Sequence, residues 1–291
     1  MKIPASGGLE VDLFEVIIAS IGYAGGVVAD KLVLSKYRVP VKRFIPLIFV
    51  WLSIVTAVFL SRWGHIDYEL MKTTRYIILF VTMIAVACTW NVLYSEGIQK
   101  EDLHEFELIM LLSPLATIML ATIFLPAERD WGIFVPGVIA SSALIATRFR
   151  KHHVTIGRTA WRTILAMLLI SIESIIIKEL LAVMSPVALY FVRTATIAIV
   201  FVILYRPKLF ALPGMAYALT IVSAIFGVVQ MVLKFYGFQN LGVTETMMIL
   251  VLGPFLVYGA SAIIMKEKIF KRDIFAALVV VLCILYVEFW R

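Results

Sequence analysis

Residues 92–131 read VLYSEGIQKEDLHEFELIMLLSPLATIMLATIFLPAERDW, and the stretch recurs 140 residues on as VLKFYGFQNLGVTETMMILVLGPFLVYGASAIIMKEKIF. In that register Val92, Leu93, Gly97 and Gln99 fall on Val232, Leu233, Gly237 and Gln239. Glu105, Ile109, Leu112 and Pro114 then fall on Glu245, Ile249, Leu252 and Pro254, which makes eight identities in the 23 positions from 92 to 114 without a gap. Gly, Glu and Pro are unusual near or inside an apolar helix, so chance explains the match poorly. An internal repeat in a membrane protein is first of all a sign of transport.

The surrounding chain has the composition of a membrane protein. Of its 291 residues 62% are hydrophobic and 15% charged, with a mean hydropathy of +1.00. A soluble domain is nearer half apolar and a quarter charged. A span of about 20 apolar residues crosses a bilayer as a helix. Ten such spans are expected, at 11–34, 42–61, 74–96, 105–125, 131–148, 161–182, 187–205, 213–236, 244–265 and 272–290. The first is too long for a signal peptide core and reads as a helix of the mature protein. A basic connection at 149–160 separates a five-helix repeat, 1–148, from a second, 161–291. An odd number of helices per repeat makes the second copy enter the membrane in the opposite sense. The predicted fold is therefore an all-α polytopic membrane protein of ten transmembrane helices in two inverted repeats.

The net charge of +7 fits basic loops held in the cytoplasm better than a nucleic-acid surface. The side carrying the turns after helices 1, 3, 5, 7 and 9 holds 17 Lys and Arg against 6 on the other, which puts both termini outside the cytoplasmic membrane. Cys88 and Cys283 sit in apolar helices and read as small buried hydrophobes. The basic loop reads as a lipid contact or topology anchor.

Two five-helix halves of this pattern resemble the EamA-type transporters of the drug/metabolite transporter (DMT) superfamily. The residues that carry the resemblance are Gly97, Glu105, Pro114 and Glu128, then Gly237, Glu245, Pro254 and Glu267. The resemblance implies a 5+5 inverted-repeat basket, a central cavity and alternating access without nucleotide hydrolysis. Members handle amino acids, other metabolites, nucleotide sugars or quaternary amines. They are expected to keep both termini in the cytoplasm, which the charge count of this chain reverses.

Ionisable groups deep in a membrane helix are costly and usually functional. Glu173 lies about a dozen residues into the sixth span, a candidate proton carrier or counter-charge for a cationic substrate. An ion pair with Lys234 or Lys178 is the structural reading of the same residue. Gln230 and Lys234 replace Trp90 and Tyr94 in the 140-residue register, so one repeat offers Trp90, Asn91 and Tyr94, and the other Gln230 and Lys234. These suit a zwitterion, with the aromatics and Glu173 at the ammonium and Lys234 at a carboxylate or phosphate. Packing and snorkelling are the bland alternatives. Glu105 and Glu245 read as helix caps at the dipole's positive end. Pro114 and Pro254 read as kinks and possible gating hinges. The small-residue run Gly22 to Gly26 reads as a packing face, Asp30 with Lys31 as an interfacial charge pair, and Arg193 and Glu179 likewise.

No nucleotide-binding, metalloprotease or nucleophile-elbow sequence is present, so an ATPase or protease is not expected, nor a metal or other cofactor. The expected function is secondary transport of a small polar metabolite, an amino acid or amine, by a non-enzymatic monomer whose partners are that solute and membrane lipids. A lipid-headgroup flippase and a non-transporting scaffold or receptor are the alternatives.

Overall fold

The computed structural model describes residues 13–100, 106, 109–110, 112–148, 158–208, 212–253, 256–257 and 271–290. Their regular structure is helical throughout, apart from one isolated antiparallel bridge between Ile66 and Met184. Among the described residues the helices of eight or more residues are α1 (Leu13–Lys31), α2 (Val41–Trp63), α3 (Thr74–Lys100), α4 (Leu112–Phe124), α5 (Trp131–Arg148), α6 (Arg158–Leu180), α7 (Pro186–Tyr205), α8 (Gly214–Asn240), α9 (Val243–Leu250) and α10 (Lys271–Trp290). A π-helical turn, Leu32–Lys36, prolongs α1, and a single turn, Tyr68–Met71, precedes α3. Helices α1 with its extension, α2, α3, α7 and α8 are each long and apolar enough to cross a membrane. Helix α6 has the length but carries Arg162, Glu173, Lys178 and Glu179. Glu105, Glu107, Pro254 and Glu267 lie outside the described residues.

The outside of the bundle is greasy. Along α6 the exposed apolar residues are Trp161, Leu165, Leu168 and Ile172, spaced as one helical stripe with Arg162 exposed near its start, while Ser171, Glu173 and Ser174 are buried. This inverts the pattern of a water-soluble helix and is what a lipid surround requires. The chain is an integral, multi-pass membrane protein.

Among the described residues α1 packs along α8, α2 along α7, α3 along α6, α4 along α9 and α5 along α10, with α2 also against α8 and α4 also against α6. Exchanging each helix for its counterpart five places away returns the first five of these pairs. The two ends of the bundle repeat each other too. At one end Lys31 and Ser35 donate to the Ile98 carbonyl, at 2.9 and 3.3 Å. At the other, Lys178 donates to the carbonyl of Phe238, the residue 140 positions beyond Ile98. The first end also joins Arg162 to Glu96 at 2.7 Å. The second joins Ser185 to the Trp63 and His65 carbonyls, and Arg75 to Glu179.

Helices α3 and α8 both end four residues later than the spans expected from hydropathy, at Lys100 and Asn240. Gly97 and Gly237 thus lie inside helices, not at their ends as the sequence suggests. Their job is close approach. A Cβ on Gly97 would stand 2.7 Å from the Thr163 hydroxyl, and one on Gly237 2.8 Å from Thr246. The polar residues that follow each glycine continue the helix because their polar ends meet partners: Gln99 donates to the Leu34 and Val39 carbonyls, at 3.3 and 2.9 Å.

Candidate functional site

A cavity of about 210 Å³ opens between the two halves. Glu173, Trp90, Asn91, Tyr94, Gln230 and Lys234 all line it, as does Pro114. The structure thus brings together the whole set of substrate residues expected from sequence. Two further charges join them, Asp30 from α1 and Arg193 from α7.

Helices α1 and α6 line the cavity with one spacing. From α1 it takes Tyr23, Gly26, Val27 and Asp30; from α6 it takes Ile170, Glu173, Ser174 and Ile177, each 147 residues on. The two helices line the hollow at the same spacing but with different charges. Asp30 is matched by Ile177, Glu173 by Gly26 and Lys234 by Tyr94. Along α8 the facing residues are Ser223, Gly227, Gln230 and Lys234, one stripe of a helix at 3.6 residues per turn.

Glu173 and Arg193 are each 2% exposed and form a fork-to-fork pair. Arg193 Nε donates to Glu173 Oε1 at 2.6 Å and Nη2 to Oε2 at 3.2 Å. The Trp90 indole N–H donates to Oε2 at 2.6 Å, and the Arg193 guanidinium stands 5.8 Å from the centre of the Trp90 ring. Both carboxylate oxygens are thereby engaged. This corrects two expectations: the partner of Glu173 is neither Lys234 nor Lys178, and Arg193 is no interfacial residue. The missed signal was depth. Glu173 and Arg193 each lie ten residues from Val183, in the turn that joins α6 to α7, so the hairpin brings them level.

Lys234 is 7% exposed. Its ammonium stands 3.4 Å from the Ser174 hydroxyl and 5.1 Å from the centre of the Phe238 ring. It does not snorkel to the surface. Trp90, Tyr94 and Phe106 form an edge-to-face ladder with centroids 6.0 and 5.0 Å apart. Asn91 donates to the Ala87 carbonyl at 2.8 Å.

Pro114 is buried at the start of the described part of α4. The carbonyl before it, on Ser113, receives Thr117 at 2.8 Å and Ser171 at 3.3 Å, which ties α4 to α6 at that point. Gly22 and Gly25 face α8: a Cβ on Gly22 would stand 2.9 Å from the Gln230 N–H and the Phe226 carbonyl, and one on Gly25 2.8 Å from the Phe226 ring. Asp30 accepts a hydrogen bond from Ser223, and Lys31 turns to the Ile98 carbonyl. Glu245 stands in the first turn of α9, but the carboxylate that receives the Val243 and Thr244 N–H groups is that of Glu128, at 2.7 and 3.0 Å. Lys178 approaches the same carboxylate at 3.4 Å. Among the described residues no three His, Cys, Asp or Glu side chains are placed to hold a metal.

A lipid-facing helical bundle with buried charges around a hollow between its halves is the form of a membrane transporter. Residues 157–289, α6 through α10, match the EamA-like transporter family, part of the DMT superfamily. No curated protein matches the chain. One solved structure, titled only "Crystal structure of protein", shares the fold with a TM-score of 0.70 at 13% identity, over 94% of this chain and 97% of its own.

Proposed function

We propose that this DMT-type transporter is a secondary carrier that moves a small polar metabolite, an amino acid or amine, by alternating access between two inverted five-helix repeats. One observation carries the reading: the charges too costly to leave in lipid converge on one hollow, lined by equivalent positions of both halves. The pairing of helices and the recurrence of the Lys–carbonyl bond at opposite ends support the inversion. The hollow is smaller than the roughly 300–1,000 Å³ of sites for drug-sized ligands, which favours a small solute.

In this reading Trp90, Asn91, Tyr94, Gln230 and Lys234 contact the solute. Glu173 acts through Arg193, because a proton or ligand must compete with the guanidinium for its oxygens. Pro114 with Pro254, and Glu105 with Glu245, belong to the moving parts that open each end in turn. The test is uptake of candidate solutes into proteoliposomes with and without a pH gradient. Gradient-stimulated uptake that disappears in Glu173→Gln supports proton coupling. Stimulation that survives the substitution removes that role, and no uptake of any solute removes the carrier reading.

A further inference from the structure

The cavity contains four charges, and two of them neutralise each other. Glu173 is spent on Arg193. Among the described residues neither Asp30 nor Lys234 has an opposite charge within ion-pair distance. Asp30 accepts one hydrogen bond, from Ser223, and lies half-buried in the cavity wall. The same cavity wall includes Phe44, Ile45 and Ile48 of α2, while Lys42 and Arg43 of that helix are exposed. A carboxylate so placed has a neutral hydroxyl as its donor and no ion-paired cation among the described residues. The sequence gives no hint of this, because Lys31 stands beside it; in the fold Lys31 turns away to Ile98.

Position then separates the two unpaired charges. Ser223, which holds Asp30, precedes Lys234 by eleven residues on α8, three turns and about 16 Å along one face. An α-amino acid carries its ammonium and carboxylate on one carbon, too close to bridge that span. A small amine needs only the Asp30 end. We infer that the Asp30 carboxylate, where α1 meets α8, is the counter-charge for a substrate ammonium group, so that the solute is a cationic amine and not an α-amino acid. This rests on the carrier reading and deepens it.

The experiment is calorimetric titration of the purified full chain with benzylamine and tetramethylammonium, with glycine and benzoate as contrasts. Asp30→Asn keeps the acceptor for Ser223 and removes the charge. It weakens amine binding at least tenfold, and Asp30→Glu restores most of it. Ser223→Ala retains amine binding, since it removes only the neutral donor. Equal binding by wild type and Asp30→Asn overturns the inference. So do tighter binding of glycine than of either amine, and parallel losses of affinity and melting temperature in Asp30→Asn and Ser223→Ala, which mark a structural hydrogen bond. Amines that bind at Asp30 but are not taken up by proteoliposomes sink the carrier reading and leave the site. Uptake of amines unchanged by Asp30→Asn does the reverse.

Discussion

At the scale of single residues, the Glu173–Arg193 pair decides what each cavity charge is free to do. Two desolvated charges hold each other with short, bidentate geometry and a third donor from Trp90. Such pairs add little net stability over an apolar core, but removing one partner strands the other. Arg193→Met alone is expected to cost about 3–5 kcal/mol. The Glu173→Gln, Arg193→Met double variant is expected to be closer to wild type than the Arg193→Met single. Thermal unfolding of the four proteins in detergent measures the coupling, and additive losses contradict it. Glu173 was legible as an unusual residue because a lone acid in an apolar run stands out. Its partner was not, because Arg193 sits on the next helix, and the sequence reading placed it by loop proximity rather than by equal depth from the turn.

At the scale of helices, two contacts fix the halves against each other. The first is α1 against α8, where Gly22 touches backbone and not a side chain that can rotate away. Gly22→Val is expected to destabilise by roughly the 1–3 kcal/mol typical of overpacking, or to block folding. Gly26 faces the cavity, with only the Phe226 Cβ at 3.9 Å from an added Cβ, so Gly26→Ala is expected to fold normally. Expression and melting temperature of the two variants give the comparison; equal losses argue against the packing assignment. The second contact is Glu128, from the turn before α5, on the N-terminal N–H groups of α9. A carboxylate there satisfies orphan donors and meets the positive end of the helix dipole. Glu128→Ala is expected to lower stability by about 1–2 kcal/mol, the upper range for a lost cap. The loss should concentrate in hydrogen exchange at α9, and unchanged protection of Val243 and Thr244 would falsify the cap. The sequence marked Glu128 only through the family resemblance, because a cap supplied 115 residues away in the chain leaves no local pattern.

At the scale of the whole molecule, orientation is the open structural variable with a direct test. The end that holds Lys36, Arg38, Lys42 and Arg43 is the basic one and is expected to face the cytoplasm, with the Arg129 hairpin outside. A background without Cys88 and Cys283, carrying one cysteine at position 36 or 129, reports this through a membrane-impermeant maleimide. Position 129 should label in intact cells and position 36 only after permeabilisation. The opposite pattern reverses the topology, and with it the face from which the solute enters.

Sequence alone determined the membrane class and the long apolar helices α1, α2, α3, α7 and α8 near their observed limits. It also named six residues that converge on one cavity. These follow from hydropathy, from the length a bilayer imposes, and from side-chain identity, all of which are local or additive along the chain. Only the tertiary structure decided which charge is consumed and which remains. It put Arg193 on Glu173, turned Lys31 away from Asp30, and carried two glycines from helix ends into helix contacts. Those outcomes depend on how one helix is rotated and set in depth against another, and a chain written in one dimension does not specify that until it packs.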